Sequence, residues 1–245
     1  MSDLPFELES LSRAVNYQHW VFRTIAPFIG KRVIEIGAGI GNMSKYLPSG
    51  ERLILTEMDP VLLPILERSV VAQSNKASRA VIMPLDVLND DLAPLKSENL
   101  DTVISFNVLE HIEDDLKAYT QLCNLVKNSK SSGPRRVITF VPAHSWAYGT
   151  MDKTFGHYRR YSKKTLGELC RKADPSAKVH LRYFNTVGLL GWILNGRILK
   201  KASISWGSIA AFEGLCPFIA PIDDILHKVF RFPMGQSLLA VMEWE

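Results

Sequence analysis

Short apolar runs recur along this chain, and segments with apolar residues at helical spacing separate them. After Arg32, the run at 33–36 is apolar except for Glu35 and stops at a glycine, the pattern of a strand buried on both faces. Runs of the same kind follow at 52–56, 80–83, 102–106 and 136–141. Helical patterns lie between and after them at about 42–47, 60–73, 112–128 and 162–173. Ahead of the first strand, Leu11, Val15, Trp20, Val21, Ile25 and Phe28 predict a helix over 10–29. Strands alternating with helices predict a parallel sheet covered on both faces, and right-handed crossovers make it doubly wound. Two later runs, 179–184 and 237–244, add strands to give a mainly parallel seven-stranded α/β sheet. The roughly 50 residues between them are too many for a loop and predict inserted helices at about 186–235.

The composition fits one such domain. Of 245 residues, 47% are hydrophobic and 22% charged, which excludes a disordered tail, a collagen-like repeat and a disulfide-dense mini-protein. Cys123, Cys170 and Cys216 are widely spaced without a C-x-x-C pair, so we expect no disulfide framework, no metal site and a reducing, cytoplasmic location. The start, MSDLPFELES, is acidic and polar, unlike a secretory signal. The longest uncharged apolar run, 183–196, has 14 residues, short of the roughly 20 that span a bilayer. A soluble monomer or homodimer is expected, with that run free to face apolar material. No Pro/Ser-rich linker divides the chain, so we expect a single domain over 1–245. Its parts would be an N-terminal lid at 1–30, a ligand-binding half at 31–143 and an elaborated half at 144–245. Charge is unevenly spread: net −6 over 1–122 and net +10 over 123–245, which suggests two surfaces with different partners.

In doubly wound sheets ligands bind beyond the carboxyl ends of the strands, where the winding reverses. The first strand ends in Gly37, Gly39 and Gly41, residues that tolerate positive φ and close approach of a ligand, with a helix expected to follow. The third glycine comes one residue too early for the G-x-G-x-x-G of nicotinamide enzymes. Glu35, just before the turn, is a carboxylate that needs a partner: a ligand ammonium or the loop amides. The second strand ends Glu57-Met58-Asp59-Pro60. Glu57 suits the two hydroxyls of a ribose and disfavours a 2′-phosphate, while Asp59 before Pro60 suits a helix cap. After the third strand, Asp86 can accept from an exocyclic amine and the Val87 N–H can donate to a ring nitrogen. The fourth strand leads to Asn107 and then Glu110-His111.

Together, residues 35–41, Glu57, Asp86-Val87 and 107–114 resemble the class I S-adenosylmethionine-dependent methyltransferases, over 33–141. The resemblance implies a Rossmann-like methyltransferase fold that takes S-adenosylmethionine, yields S-adenosylhomocysteine and uses no metal. Gly37, Gly39 and Gly41 would wrap the methionine part, with Glu35 and the Asn107 carbonyl near its ammonium. Glu57 would take the ribose, Met58 would pack on adenine, and Asp86 with Val87 would read the adenine edge. Tyr17 and Trp20 would be lid contacts, a core role being equally open for Trp20.

The acceptor side rests on V-P-A at 141–143 and G-H-Y-R-R-Y at 156–161, which is similar to a bacterial subgroup linked to glycan or secondary-metabolite pathways. His157, His111 and His144 are the candidate bases, although a hydrogen-bonding role is equally open for His111. A base is needed for a hydroxyl or amine acceptor and not for a carboxylate. Arg159 and Arg160 could hold an anionic group of the acceptor, with Tyr161 and Trp146 beside them. Residues 153–172 carry seven Lys/Arg and one Glu; Lys163, Lys164, Arg171 and Lys172 read as a solvated face, leaving one arginine to point inward. The expected reaction is methyl transfer to a small molecule of natural-product, glycan or lipid-like type, apolar with an anionic group. The basic second half keeps nucleic acid or protein as an alternative acceptor, although the N/D-P-P-Y/F motif and an appended binding module are lacking. A nicotinamide oxidoreductase is disfavoured by the loop spacing, and a non-catalytic partner subunit by the intact cofactor motifs.

Overall fold

The computed structural model describes residues 4–73 and 80–245, so residues 1–3 of the expected lid lie outside the described residues. The seven strands are β1 (Arg32–Ile36), β2 (Arg52–Glu57), β3 (Ala80–Pro84), β4 (Thr102–Phe106), β5 (Arg135–Pro142), β6 (Lys178–Phe184) and β7 (Ser237–Trp244). They form one sheet in the order β3-β2-β1-β4-β5-β7-β6, parallel except for β7, which runs antiparallel to β5 and β6. This is the mainly parallel seven-stranded α/β sheet expected, and its winding reverses between β1 and β4.

The helices α1 (Phe6–Arg13), α2 (Val15–Ile25), α3 (Leu63–Val71), α4 (Asp115–Val126), α5 (Thr150–Thr154), α6 (Lys163–Ala173), α7 (Thr186–Trp192) and α8 (Trp206–Lys228) surround it. Each central strand shows no polar stripe because both faces are covered. Leu122 and Val126 of α4 with Leu166 and Cys170 of α6 pack on one face. Trp20 and Ile25 of α2, Leu66 of α3 and Cys216 of α8 pack on the other. Between β6 and β7 lie α7, a π-helical stretch over Ile193–Ile198 and the 23-residue α8. No described helix is long and apolar enough to cross a membrane.

Two expectations need correction. The segment 42–47 forms only a single 3₁₀ turn, Ser44–Tyr46. Pro48 forces Leu47 into an extended conformation (φ −61°, ψ 137°), so too few residues remain after the loop for an α-helix, and no helix dipole points at it. The helix predicted over 10–29 begins earlier and breaks at Ala14 (φ −93°, ψ 62°). The break is held from afar: the Glu213 carboxylate of α8 accepts from the amides of Asn16 and Tyr17, capping the first turn of α2. No local signal reports a cap supplied by a residue some 200 positions away.

Candidate active site

The loop after β1 carries Gly37, Gly39 and Gly41 at φ of +68°, +58° and +86°. A side chain at Gly37 would strike Val108, its Cβ falling 2.7 Å from Cγ2. Glu57, at the end of β2, is buried and points across to this loop: Oε2 accepts from the Gly39 N–H at 2.7 Å and Oε1 from the Asp59 N–H at 3.0 Å. Glu35 is also buried and accepts from the Ser44 hydroxyl at 2.5 Å, while its carbonyl takes the Thr56 hydroxyl at 3.0 Å. The two carboxylates, on adjacent strands, therefore hold the loop, Glu57 through the Gly39 amide and Glu35 through the Ser44 hydroxyl.

Asp86 follows β3 and holds its own turn, accepting from the Leu88 N–H and the Asn89 side-chain amide at 2.8 Å each. Those bonds hold its carboxyl below the usual range. Val87 is buried in the core. Asn107, after β4, is exposed, sits at φ +50° and donates its N–H to the Phe140 carbonyl at 2.8 Å. Asp86, Glu57, the glycine loop and Asn107 thus stand beyond the carboxyl ends of four adjacent strands, β3, β2, β1 and β4. Asp59 caps a turn through the Val61 N–H at 2.8 Å, and Met58 is largely exposed beside it.

The helix over the loop is α1 rather than α2. Leu8 packs on Gly39, where an added Cβ would meet its Cδ2 at 3.0 Å, and the Asn42 side-chain amide donates to the Leu8 carbonyl at 2.8 Å. Tyr17 is not over the glycine loop. Its ring packs among Trp20, Phe184 and Phe212, and its hydroxyl meets Ser237 and Asn185. Trp20 is a core residue, 2% exposed.

The acceptor-side motif forms a buried charged cluster. Asp152, at the start of α5, accepts on Oδ1 from Arg160 Nε at 2.6 Å and pairs with His157 Nδ1 at 2.8 Å; its Oδ2 takes the Gly149 N–H at 2.9 Å. Arg160 also donates to the Ala143 carbonyl at 3.0 Å and lies 4.3 Å from the Trp192 ring. The other nitrogen of His157 faces Glu7 of α1 at 3.5 Å, and its ring meets that of His111 edge-on at 4.8 Å. Burial works against charge on His157, but Asp152, Glu7 and Glu110 outweigh it and push its pKa up to about 9. His111 moves the other way, pushed down where its ring is covered and by the neighbouring His157 cation. Glu110 is wholly buried, and both carboxylate oxygens lack a hydrogen-bond partner among the described residues. Desolvation pushes its pKa up to about 8 against the pull of His157 and Arg160.

The remaining candidates have other work. His144 stacks on Tyr183 at 4.6 Å, lies against Trp146 at 5.1 Å and accepts from the Gly235 N–H at 3.3 Å, which spends one ring nitrogen in packing. The Tyr161 hydroxyl donates to Asp115 at 2.8 Å and lies 3.2 Å from the Leu109 carbonyl. Arg159 turns outward onto Asp115 and the Glu113 carbonyl, so Arg160 is the inward arginine. Trp146 is about half exposed. Sequence reasoning missed Glu7, Asp152, Glu110 and Trp192. Glu110 stood in the quoted motif, and its place after a strand end was the only available signal.

Comparisons with known proteins bear on this geometry. Residues 34–130 match a family described as a methyltransferase domain. A ribosomal RNA small subunit methyltransferase A of Lactiplantibacillus plantarum is 36% identical over 87 residues, 35% of this chain and 28% of that protein. The chain therefore spans about a quarter of the length of this curated relative. Among solved structures, an S-adenosylmethionine-dependent methyltransferase of Thermotoga maritima superposes with a TM-score of 0.57 at 12% identity, covering 96% of this chain and 92% of that one. Phosphoethanolamine N-methyltransferase 2 of Haemonchus contortus, solved with S-adenosyl-L-methionine, gives 0.57 at 16% identity over 93% of this chain and 52% of that one. At these identities the likeness is one of fold: the chain has the Rossmann-like methyltransferase fold.

Proposed function

We propose that this protein is an S-adenosylmethionine-dependent methyltransferase acting on a small molecule. One observation carries the reading: an acidic residue, a glycine turn, a second acidic residue and an asparagine stand together at the open ends of β2, β1, β3 and β4. The donor set suits that cofactor. Glu57 offers acceptor oxygens to ribose hydroxyls, Glu35 offers a carboxylate toward an ammonium, and Asp86 with Val87 faces the adenine position. Bound there, S-adenosylmethionine supplies a methyl group made electrophilic by its sulfonium.

The chain's own contribution is mainly positioning, which can supply several kcal/mol of a barrier. At neutral pH His157 is the charged ring, held between Asp152 and Glu7, and its positive charge favours an anionic group on the acceptor nearby. His111 is the neutral ring beside it and can take the proton of a hydroxyl or amine acceptor. Arg160 adds a positive charge behind them. The structural neighbour named for phosphoethanolamine supports an acceptor with an anionic group.

Calorimetric titration with S-adenosylmethionine tests the cofactor assignment. Wild type is expected to bind. Glu57→Ala, which loses hydrogen bonds to a charged group, is expected to bind roughly 10–150-fold more weakly. Absence of heat from the wild type would refute the reading. A second reading, transfer to RNA, is favoured by the match to a ribosomal RNA methyltransferase and by the basic second half. RNA binding that weakens steeply with salt would support it.

A further inference from the structure

The insertion between β6 and β7 presents an apolar surface that is not covered by any of the described residues. Leu215, Phe218, Ile222 and Ile225 on α8, with Val229 at its C-cap, recur at spacings of three and four, so they form one stripe along the helix. All five are exposed, Phe218 at 73% and Ile222 at 62%. The opposite side of α8, with Cys216, Ala220, Asp223 and His227, is the buried one. Leu190 on α7 and Leu194 and Ile198 on the π-helical stretch are exposed too. A contiguous apolar surface of this extent on a folded domain marks a contact site.

Charge tells which contact. Exposed Arg197, Lys200 and Lys201 precede α8, and exposed Lys228 and Arg231 follow its stripe. The acids of the insertion face inward: Glu213 caps α2, Asp223 accepts from the amides of Asn185 and Thr186, and Asp224 pairs with Arg182 at 2.6 Å. Only Lys228 reaches one of them, at 3.7 Å from Asp224. A second copy laid along α8, parallel or antiparallel, would set these cationic ends against its own. RNA would match the cations but not the leucine, isoleucine and phenylalanine between them. An apolar helix face rimmed by Lys and Arg suits the interface of an anionic bilayer.

We infer that α8 and the π-helical stretch dock this protein on the surface of anionic lipid membranes. The docking face adjoins the site. Trp206, at the start of α8, lies 5.1 Å from Phe6 of α1 and beneath the Arg13 guanidinium at 4.2 Å. Helix α1 carries Leu8 over the glycine loop and Glu7 to His157. The helix that covers the glycine loop therefore packs against the start of the docking helix. It does not depend on methyl transfer being the reaction.

Co-sedimentation of the full chain with phosphatidylcholine vesicles, with and without phosphatidylglycerol, tests this. The protein is expected to pellet with the phosphatidylglycerol vesicles and less so as salt rises. Phe218→Ser with Ile222→Ser should weaken partitioning roughly tenfold or more. Lys200→Glu with Lys201→Glu should weaken it by about fivefold per residue. Both pairs are exposed, so thermal melting should be unchanged and serves as the check on folding. No pelleting with either vesicle, or equal pelleting of wild type and a folded Phe218→Ser/Ile222→Ser variant, overturns the inference. So does a wild-type dimer in sedimentation velocity that this variant splits without altered vesicle binding, which would assign the face to a second copy. Pelleting with an absent cofactor heat would leave membrane docking standing and remove only the methyltransferase reading.

Discussion

Asp152 gathers three donors on one carboxylate in a site with no solvent access: Arg160, the His157 ring and the Gly149 amide. A buried pair is costly to break from one side because the remaining charge is left without compensation. Asp152→Asn strands Arg160 and His157 together. It is expected to cost about 3–5 kcal/mol, seen calorimetrically as a fall in Tm of roughly 2–4 °C per kcal/mol. A loss within the noise of an ordinary surface substitution would show that the pair is not a structural support. Arg160 and His157 were visible as a cluster in the sequence. Asp152 was not, because an aspartate opening a short polar helix reads as an exposed cap until its partners are brought to it.

Among the elements, α1 matters most for ligand access. Its contacts to the glycine loop are few: Leu8 on Gly39, and the Asn42 amide on the Leu8 carbonyl. No residue of α1 is buried. Exposed elements without buried residues open at lower free energy than the core, so the loop contacts of α1 contribute measurably to its closure. Asn42→Ala removes one hydrogen bond, worth about 0.5–1.5 kcal/mol. Proteolytic cleavage near the N-terminus should therefore speed up by roughly 2–12-fold, the same energy expressed as a rate. An unchanged cleavage rate would mean that α1 is held by other contacts. The apolar spacing predicted a helix over 10–29, yet the break at Ala14 and the identity of the covering helix depend on Glu213 from the far end of the chain.

On the scale of the whole molecule, the buried titratable groups give stability a direction in pH. His157 is raised from 6.5 to about 9 and Glu110 from 4.5 to about 8, so the folded state binds the extra proton in both windows. Where the folded state holds more protons than the unfolded state, stability falls as pH rises. Tm should therefore decline between about pH 6.5 and 9. Glu110→Gln, which keeps a neutral side chain of the same shape, should flatten the part below pH 8. A Tm that rises over this interval would contradict the buried charge arrangement.

The seven strands, their mainly parallel order and the candidate binding residues at their ends were legible from the chain alone. Strand interiors buried on both faces must be apolar, and a tight turn at a strand end must carry glycine; both demands are local and leave local marks. The resemblance to class I methyltransferases rested on these same positions. The short turn at 44–46 departed from expectation because Pro48, immediately after the expected segment at 42–47, overrode it. What only the tertiary structure decided was which charges meet. Asp152 with Arg160 and His157, Glu7 with His157, Glu213 at the start of α2, and the outward stripe of α8 are all partnerships or exposures set by packing. Charge pairs act across space and carry no periodicity, and an apolar helix looks the same in sequence whether its second face is covered or open.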